Sequence, residues 1–394
     1  MERCRGRDFL PSLCMFVAAG PTATSGLSPG LGTVRILHLA KYYWPRSGGR
    51  ERVVQNLAEG ASQLGHEAEV IAVETHWTWS KRGRHRHKVR RVFSFGALGS
   101  QEFAPGYIAA AWKSADVIHV HHPHPLADLV SLLRLRRTPL VVTQHQDVRP
   151  GPVSPHLSRW ILRRAGAIVV PSSSHVALCR ELAGLESKVE VIPFGIDERR
   201  WMEVPPPPGR KPARAIFIGR LVRWKGVDLL LRALAQTEDI ELDIVGDGPE
   251  SPRLKTLAKA LAITDRVRFF GEFPDEDLPF RMVAADFLVL PSVTSSEMFG
   301  LVAIEAMAAG RPVITTDLPS GVRDVNVAGE TGFVVPLRDV DALAGAMQTL
   351  AADPELVRKM GAAGRSRVLE HFTREEMARR HIALYERLLN GSGE

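Results

Sequence analysis

The chain has 394 residues, 45% hydrophobic, 24% charged and 7% aromatic, which is the make-up of a globular protein. At roughly 100–200 residues per domain the length implies two domains. No run of about 18 apolar residues occurs, which excludes a spanning helix. Three cysteines (Cys4, Cys14, Cys179) exclude a disulfide framework and fit a reducing compartment, and the lack of a Cys-x-x-Cys pair argues against a structural zinc site. The net charge is +7, unevenly divided: residues 1–195 hold 25 basic and 14 acidic residues, a net of +11, and residues 196–394 hold 26 and 30, a net of −4.

Residues 1–33 read as an extension. Arg3, Arg5 and Arg7 precede an apolar stretch, Phe9–Ala19, as in a secretory signal, but Pro11, Ser12 and Cys14 interrupt it. The expectation is a disordered tail, or a start codon placed too far upstream. Folding signals begin at Val34. VRILHLA is a short apolar run suited to a buried strand. Arg50–Leu64 has helical spacing at Val53, Val54, Leu57, Ala58, Ala61 and Leu64, stopped by Gly65. EAEVIAV, DVIHV at Asp116–Val120, LVVT at Leu140–Thr143, AIVVP at Ala167–Pro171 and VEVIP at Val189–Pro193 are further strands. Helical stretches lie between several of them, so a parallel sheet covered on both faces is predicted. This first α/β domain spans 34–195.

A polar stretch with four prolines at Pro205–Pro208 then reads as a stiff linker, 196–213. After it the alternation restarts: AIFIG at Ala215–Gly219, ELDIV at Glu241–Val245, VRFF at Val267–Phe270, FLVLP at Phe287–Pro291, VITT at Val313–Thr316 and GFVV at Gly332–Val335. The second domain spans 214–372. The tail, 373–394, reads as a helix in which Thr373 and Glu376 form a capping box. Two doubly wound domains leave a cleft at the carboxyl ends of both sheets, where ligands of such folds bind.

The basic excess concentrates in SKRGRHRHKVRRV, Ser80–Val92, with seven Lys/Arg and two His. Such a patch suits an anionic membrane surface or a nucleic acid, and is equally a solvated loop. No nucleic-acid motif accompanies it, so no nucleic-acid partner is expected.

Three segments carry chemistry. In GRLVRWKG, Gly219–Gly226, Arg220 and Lys225 follow a strand directly; a guanidinium fork and a compact ammonium there can hold a diphosphate, or can be two solvated side chains. In VGDGPE, Gly246 and Gly248 let backbone approach a ligand, though many strand–helix turns look alike. The pattern is neither a P-loop nor a full G-x-G-x-x-G, so nothing argues for a P-loop triphosphatase or a dinucleotide enzyme. In PSVTSSEMFGLVAIEA, Glu297 falls in the loop before a helix opened by Gly300, and Glu305 falls inside that helix. The amides of Phe299, Gly300, Leu301 and Val302 then form an anion site at the helix mouth. A carboxylate among Ala, Val, Ile and Met needs a polar partner if buried, and vicinal ribose hydroxyls would serve. No two carboxylates are clearly placed for a two-step glycosidase-type mechanism.

In this order, the three segments resemble the motifs of the retaining glycosyltransferases of family 4, from about Val34 to the C-terminal helix. The resemblance implies the GT-B fold, two Rossmann-like domains facing a deep cleft, with the C-terminal helix crossing back to the first domain. It implies a hexosyltransferase whose co-substrate is a nucleoside-diphosphate sugar, with no bound cofactor and no metal. Arg220 and Lys225 would contact the diphosphate, Glu305 the ribose, and Glu297 the transferred sugar, with the backbone of Phe299–Val302 supporting phosphate and sugar. GEFPDED, Gly271–Asp277, resembles the segment lining the base. Gly48 and Gly49 match the glycine pair whose amides approach the phosphates, and His145 in VVTQHQD matches the histidine near the reacting sugar. KYYWPRSGGRE, HHPHPLAD and VVTQHQDV resemble bacterial members that add mannose or rhamnose to lipid-linked polysaccharide precursors. The implied donor is a GDP-sugar first and a UDP-sugar second, the acceptor a glycan or lipid-linked saccharide. The implied place is the cytoplasm, against the inner face of the cell membrane.

Taken without the family, His145 is also readable as an ordinary polar residue at a strand end. His119, His121, His122 and His124 invite a metal reading; His119 and His121 share a strand face, but no carboxylate ligand is obvious nearby. Another GT-B sugar-nucleotide enzyme, such as an epimerase, or a non-catalytic sugar-nucleotide-binding subunit are the alternative functions.

Overall fold

In the computed structural model the described residues are 32–44, 48–75, 85–98, 101–133, 138–145, 154–204 and 212–391. Residues up to 31, the four-proline run expected as a linker and the first part of the basic run, 80–84, lie outside the described residues. Fifteen strands are present among those described: β1 (Arg35–Leu39), β2 (Glu67–Glu74), β3 (Lys88–Phe93), β4 (Ala97–Leu98), β5 (Gln101–Glu102), β6 (Val117–His122), β7 (Leu140–Gln144), β8 (Ala167–Val170), β9 (Val189–Val191), β10 (Ala213–Ile218), β11 (Ile240–Val245), β12 (Val267–Gly271), β13 (Phe287–Leu290), β14 (Val313–Thr316) and β15 (Gly332–Val335).

They form a seven-stranded sheet in the order β3-β2-β1-β6-β7-β8-β9, a six-stranded sheet in the order β12-β11-β10-β13-β14-β15, and the small antiparallel ribbon β4-β5. Every pair in the two large sheets is parallel. The apolar runs explain this: the inner strands β6, β7, β8, β13 and β14 are buried throughout, as a sheet covered on both faces requires. This is the GT-B arrangement expected from the sequence. Strand β3 was not expected. It emerges from the basic run and pairs with β2 at the sheet edge, Val70 opposite Val89. Lysine and arginine on an edge strand oppose further pairing, which reconciles the charge with the strand.

Three apolar clusters hold the fold. One is confined to each lobe, and the third contains residues of both lobes, among them Ile36, Val53, Phe194, Trp201, Phe299, Met307, Phe372 and Tyr385. The chain crosses between the lobes twice, side by side: the Ile196 amide donates to the Phe372 carbonyl at 2.9 Å and the Arg374 amide to the Ile196 carbonyl at 2.7 Å. The last helix, Arg374–Asn390, is capped as its sequence predicts, with Thr373 Oγ1 accepting from the Glu376 amide at 3.1 Å. It packs back on the first helix, Gly49–Gln63, and puts Tyr385 against His119 of β6.

Candidate active site

Both sheets reverse their winding once, between β1 and β6 and between β10 and β13. Ligands of open α/β sheets bind outside the carboxyl ends of the strands at such points. The sequence-predicted residues follow from those strand ends. Gly48 and Gly49 lie after β1, and His145 directly after β7. Arg220 and Lys225 lie after β10, Gly246 after β11 and Glu297 after β13; Gly271 ends β12. The lobes touch here, since a Cβ on Gly49 would lie 3.5 Å from Leu301 Cδ1.

On the second lobe Lys225 is turned inward. Its Nζ donates to Glu297 Oε2 at 2.5 Å, and Ser292 Oγ donates to the same oxygen at 2.8 Å. Lys225 and Glu297 are buried. Arg220, by contrast, is exposed and makes no ion pair among the described residues. A buried carboxylate held by an ammonium and a hydroxyl is fixed in orientation. Its neighbour Phe299 is buried, and Gly300 caps the helix Leu301–Ala308 with φ +73°. The first-turn amides of a helix have no acceptor within it, so this mouth is electropositive.

Glu305 lies one turn into that helix and is 3% exposed. Its partner in this structure is Arg52, on the helix Gly49–Gln63 of the other lobe. Arg52 also bonds Asp275, whose second oxygen accepts from Arg200 Nη1 at 2.6 Å. Burial raises the Glu305 carboxyl above the usual carboxylate range, with Arg52 opposing the rise. Burial also works against the Arg52 charge, but Glu305 and Asp275 outweigh it and hold the guanidinium above its ordinary value. Neither Arg52 nor Asp275 stood out individually in the sequence. The only signal was position: Arg52 sits on the first turn after the Gly48–Gly49 pair.

Gly246 has a simple reason to be glycine. A Cβ there would lie 2.1 Å from the Gly219 carbonyl oxygen, so the loops after β10 and β11 are in backbone contact. Gly248 is likewise pressed against Leu221, 2.4 Å from its carbonyl oxygen. Gly271 bridges to Gly246, whose amide donates to the Gly271 carbonyl at 2.8 Å. The three loops therefore form one rigid rim.

His145 is buried at the first lobe's edge of the cleft. Its ring stacks on Phe194 with centroids 5.2 Å apart, and Phe194 meets Phe299 edge-on at 5.4 Å. Behind it runs a file of imidazoles. His145 Nε2 lies 3.1 Å from His121 Nδ1, and His121 Nε2 lies 3.2 Å from His38 Nδ1. Neutral imidazole donates from one nitrogen and accepts at the other, so each tautomer sets the next. Burial pushes His38, His121 and His145 far down, which keeps the file neutral.

The histidines of the metal reading separate by strand face. His119 stacks on His121 at 4.5 Å, and ligand atoms of His38, His119 and His121 lie within 4.8 Å of one another. Both His119 nitrogens are engaged, 2.6 Å from Tyr385 Oη and 2.6 Å from Thr143 Oγ1. His122, on the other face, does have a carboxylate neighbour: Asp128 Oδ1 is 3.1 Å from its Nδ1. Glu59, His85 and His87 form a second group within 4.8 Å, in which His87 lies 2.6 Å from Tyr43 Oη and 3.1 Å from Glu59 Oε2.

Two parallel-sheet lobes whose carboxyl edges face each other make the GT-B fold. Sucrose-phosphate synthase from Thermosynechococcus elongatus superposes with a TM-score of 0.76 at 25% identity, covering 90% of this chain and 99% of that one. The family model for glycosyl transferases group 1 matches residues 200–367, and the model for glycosyltransferase family 4 matches residues 47–200. D-rhamnosyltransferase WbpZ of Pseudomonas aeruginosa is 31% identical over 357 residues, 86% of this chain and 92% of that protein. O-antigen chain mannosyltransferase C of Escherichia coli is 27% identical over 374 residues, 90% of this chain and 99% of that protein. The chain belongs to this glycosyltransferase family and is an enzyme that uses a nucleotide sugar.

Proposed function

We propose that the enzyme transfers a hexose of the mannose or rhamnose type from a nucleoside-diphosphate sugar to a lipid-linked saccharide or glycan, with retention at the anomeric carbon. A GDP-sugar is the favoured donor and a UDP-sugar the second. The observation that carries the reading is the buried Lys225–Glu297 pair beside the mouth of the helix Leu301–Ala308, with Glu305 one turn inside.

In this reading Arg220 and Lys225 hold the diphosphate, with the amides of Phe299–Val302 and of Gly48 and Gly49. Glu305 accepts from the ribose hydroxyls, Glu297 from hydroxyls of the sugar, and the rim at Gly246 and Gly271 borders the base. His145 faces the reacting sugar. The bond from the anomeric carbon to the diphosphate oxygen breaks, a bond to the acceptor oxygen forms on the same face, and the departing phosphate oxygen takes the acceptor's proton. Negative charge grows on the diphosphate in the transition state. Fixed cations and helix-end amides act most strongly there, which is where stabilisation accelerates the reaction.

A thermal-shift screen against GDP-, UDP-, ADP- and dTDP-sugars tests this, because a ligand of the folded state raises its melting temperature. The GDP-sugar gives the largest rise; no rise with any of the four refutes the reading. Analysis of products then distinguishes transfer to an acceptor from rearrangement of the donor. The basic first domain suits an acceptor held at an anionic membrane surface. Among the described residues no helix is long and apolar enough to cross a membrane.

A further inference from the structure

Glu305 is not empty-handed in this structure. It is a nearly buried carboxylate flanked by Ala303, Ile304, Ala306 and Met307, all of them buried. Its Oε1 accepts from Arg52 Nη1, and Arg52 Nη2 reaches Asp275 Oδ1. With Arg200 on the far side of Asp275, four charged groups form a continuous chain from the first lobe to the second. A carboxylate in such surroundings keeps its one cationic partner until another donor replaces it. Arg52 gives Glu305 one end of its fork and Asp275 the other, whereas a ribose presents two vicinal O–H groups that one carboxylate can accept together.

We propose that Arg52 sets the affinity for the donor by occupying Glu305 in the empty enzyme. The guanidinium stands where the ribose hydroxyls bind. Donor entry exchanges one for the other and releases the ion pair that crosses the cleft. The inference rests on Glu305 being the ribose acceptor. Apparent affinity is reduced by the fraction of molecules whose site is free, so a latch closed in about nine molecules of ten weakens binding about tenfold.

Titration calorimetry of the full chain with GDP and with UDP tests this in wild type, Arg52→Lys, Arg52→Met and the double variant that adds Glu305→Gln to Arg52→Met. Arg52→Met removes the charge and keeps an apolar stem, and binds the preferred nucleotide about tenfold tighter. Arg52→Lys keeps the charge as a single point but loses the planar fork whose two ends reach Glu305 and Asp275, so its affinity falls between those of wild type and Arg52→Met. If Arg52→Met does not fold, Arg52→Lys alone decides. Unchanged or weaker binding by a folded Arg52 variant overturns the proposal. Glu305→Gln made in the Arg52→Met background, where no latch is left to open, separates the two readings: binding weaker than that of Arg52→Met supports the ribose role whatever the single Arg52 variants do. Binding equal to that of Arg52→Met ends the ribose role and the latch with it.

Discussion

Lys225 Nζ and Glu297 Oε2 meet at 2.5 Å, although 72 positions separate the two residues in the chain. The contact exists because their loops leave adjacent strands, β10 and β13, whose register pairs Ala215 with Phe287 and Ile216 with Leu288. Lys225 thereby ties the site proposed for the diphosphate to the one proposed for the sugar. Lys225→Ala is expected to lower turnover at least about tenfold, roughly 1.4 kcal/mol of transition-state stabilisation. A folded Lys225→Ala enzyme with wild-type steady-state kinetics would falsify the assignment.

Stability depends on keeping buried histidines neutral. Burial lowers His38 to about 3 and His381 to about 4, and near His124, lowered to about 3, Lys41 and Arg50 add to the effect. Unfolded histidine binds a proton near pH 6.5, so below that pH the unfolded chain takes up more protons than the folded one. Each such histidine therefore costs about 1.4 kcal/mol per pH unit from roughly pH 6.5 downward, until its folded value is reached. Calorimetric melting temperatures should fall steeply between about pH 6.5 and 5. His381→Gln should flatten the slope by one histidine's share, and a melting temperature independent of pH in this range would contradict the buried neutral file.

Gly195 marks the crossing between the lobes. A Cβ at this position would lie 2.2 Å from the Thr373 carbonyl oxygen, a backbone atom that cannot turn aside. Gly195→Ala should separate the paired crossing segments and destabilise the protein by about 1–3 kcal/mol. Chemical denaturation reads this as a lower midpoint. An unchanged midpoint would mean that the crossing tolerates displacement.

The basic run is partly absorbed by the fold. The Arg91 guanidinium donates to the Trp44 carbonyl at 2.6 Å, and Arg90 lies 3.6 Å from Glu69. Lys88, Arg90 and Arg91 nonetheless line an edge strand of the more basic lobe. Sedimentation with vesicles of anionic lipid should show binding that weakens as salt rises, since the Debye length shrinks from about 10 Å at 0.1 M to about 3 Å at 1 M. Equal binding to neutral and anionic vesicles would remove the membrane proposal.

Most elements were legible because their signals are local. Short apolar runs marked twelve of the thirteen strands of the two large sheets. Gly300 at the mouth of Leu301–Ala308 and the Thr373–Glu376 cap were readable from residue type and spacing alone. Strand β3 was missed because lysine and arginine dominate it, and its pairing with β2 comes from the sheet edge rather than from its own side chains. Arg52 was missed as the partner of Glu305, and Tyr385 as that of His119, because these pairs lie 253 and 266 positions apart.

Chain order and residue type thus set the two α/β lobes, the glycines where backbone crowds backbone, and the charged residues at the strand ends. Folding alone decided which charges meet: that Lys225 turns inward while Arg220 stays in solvent, and that Glu305 is taken by a guanidinium from the opposite lobe. Local propensity acts over a few residues, whereas the energy of a buried charge depends on whichever neighbour the fold brings within hydrogen-bonding distance.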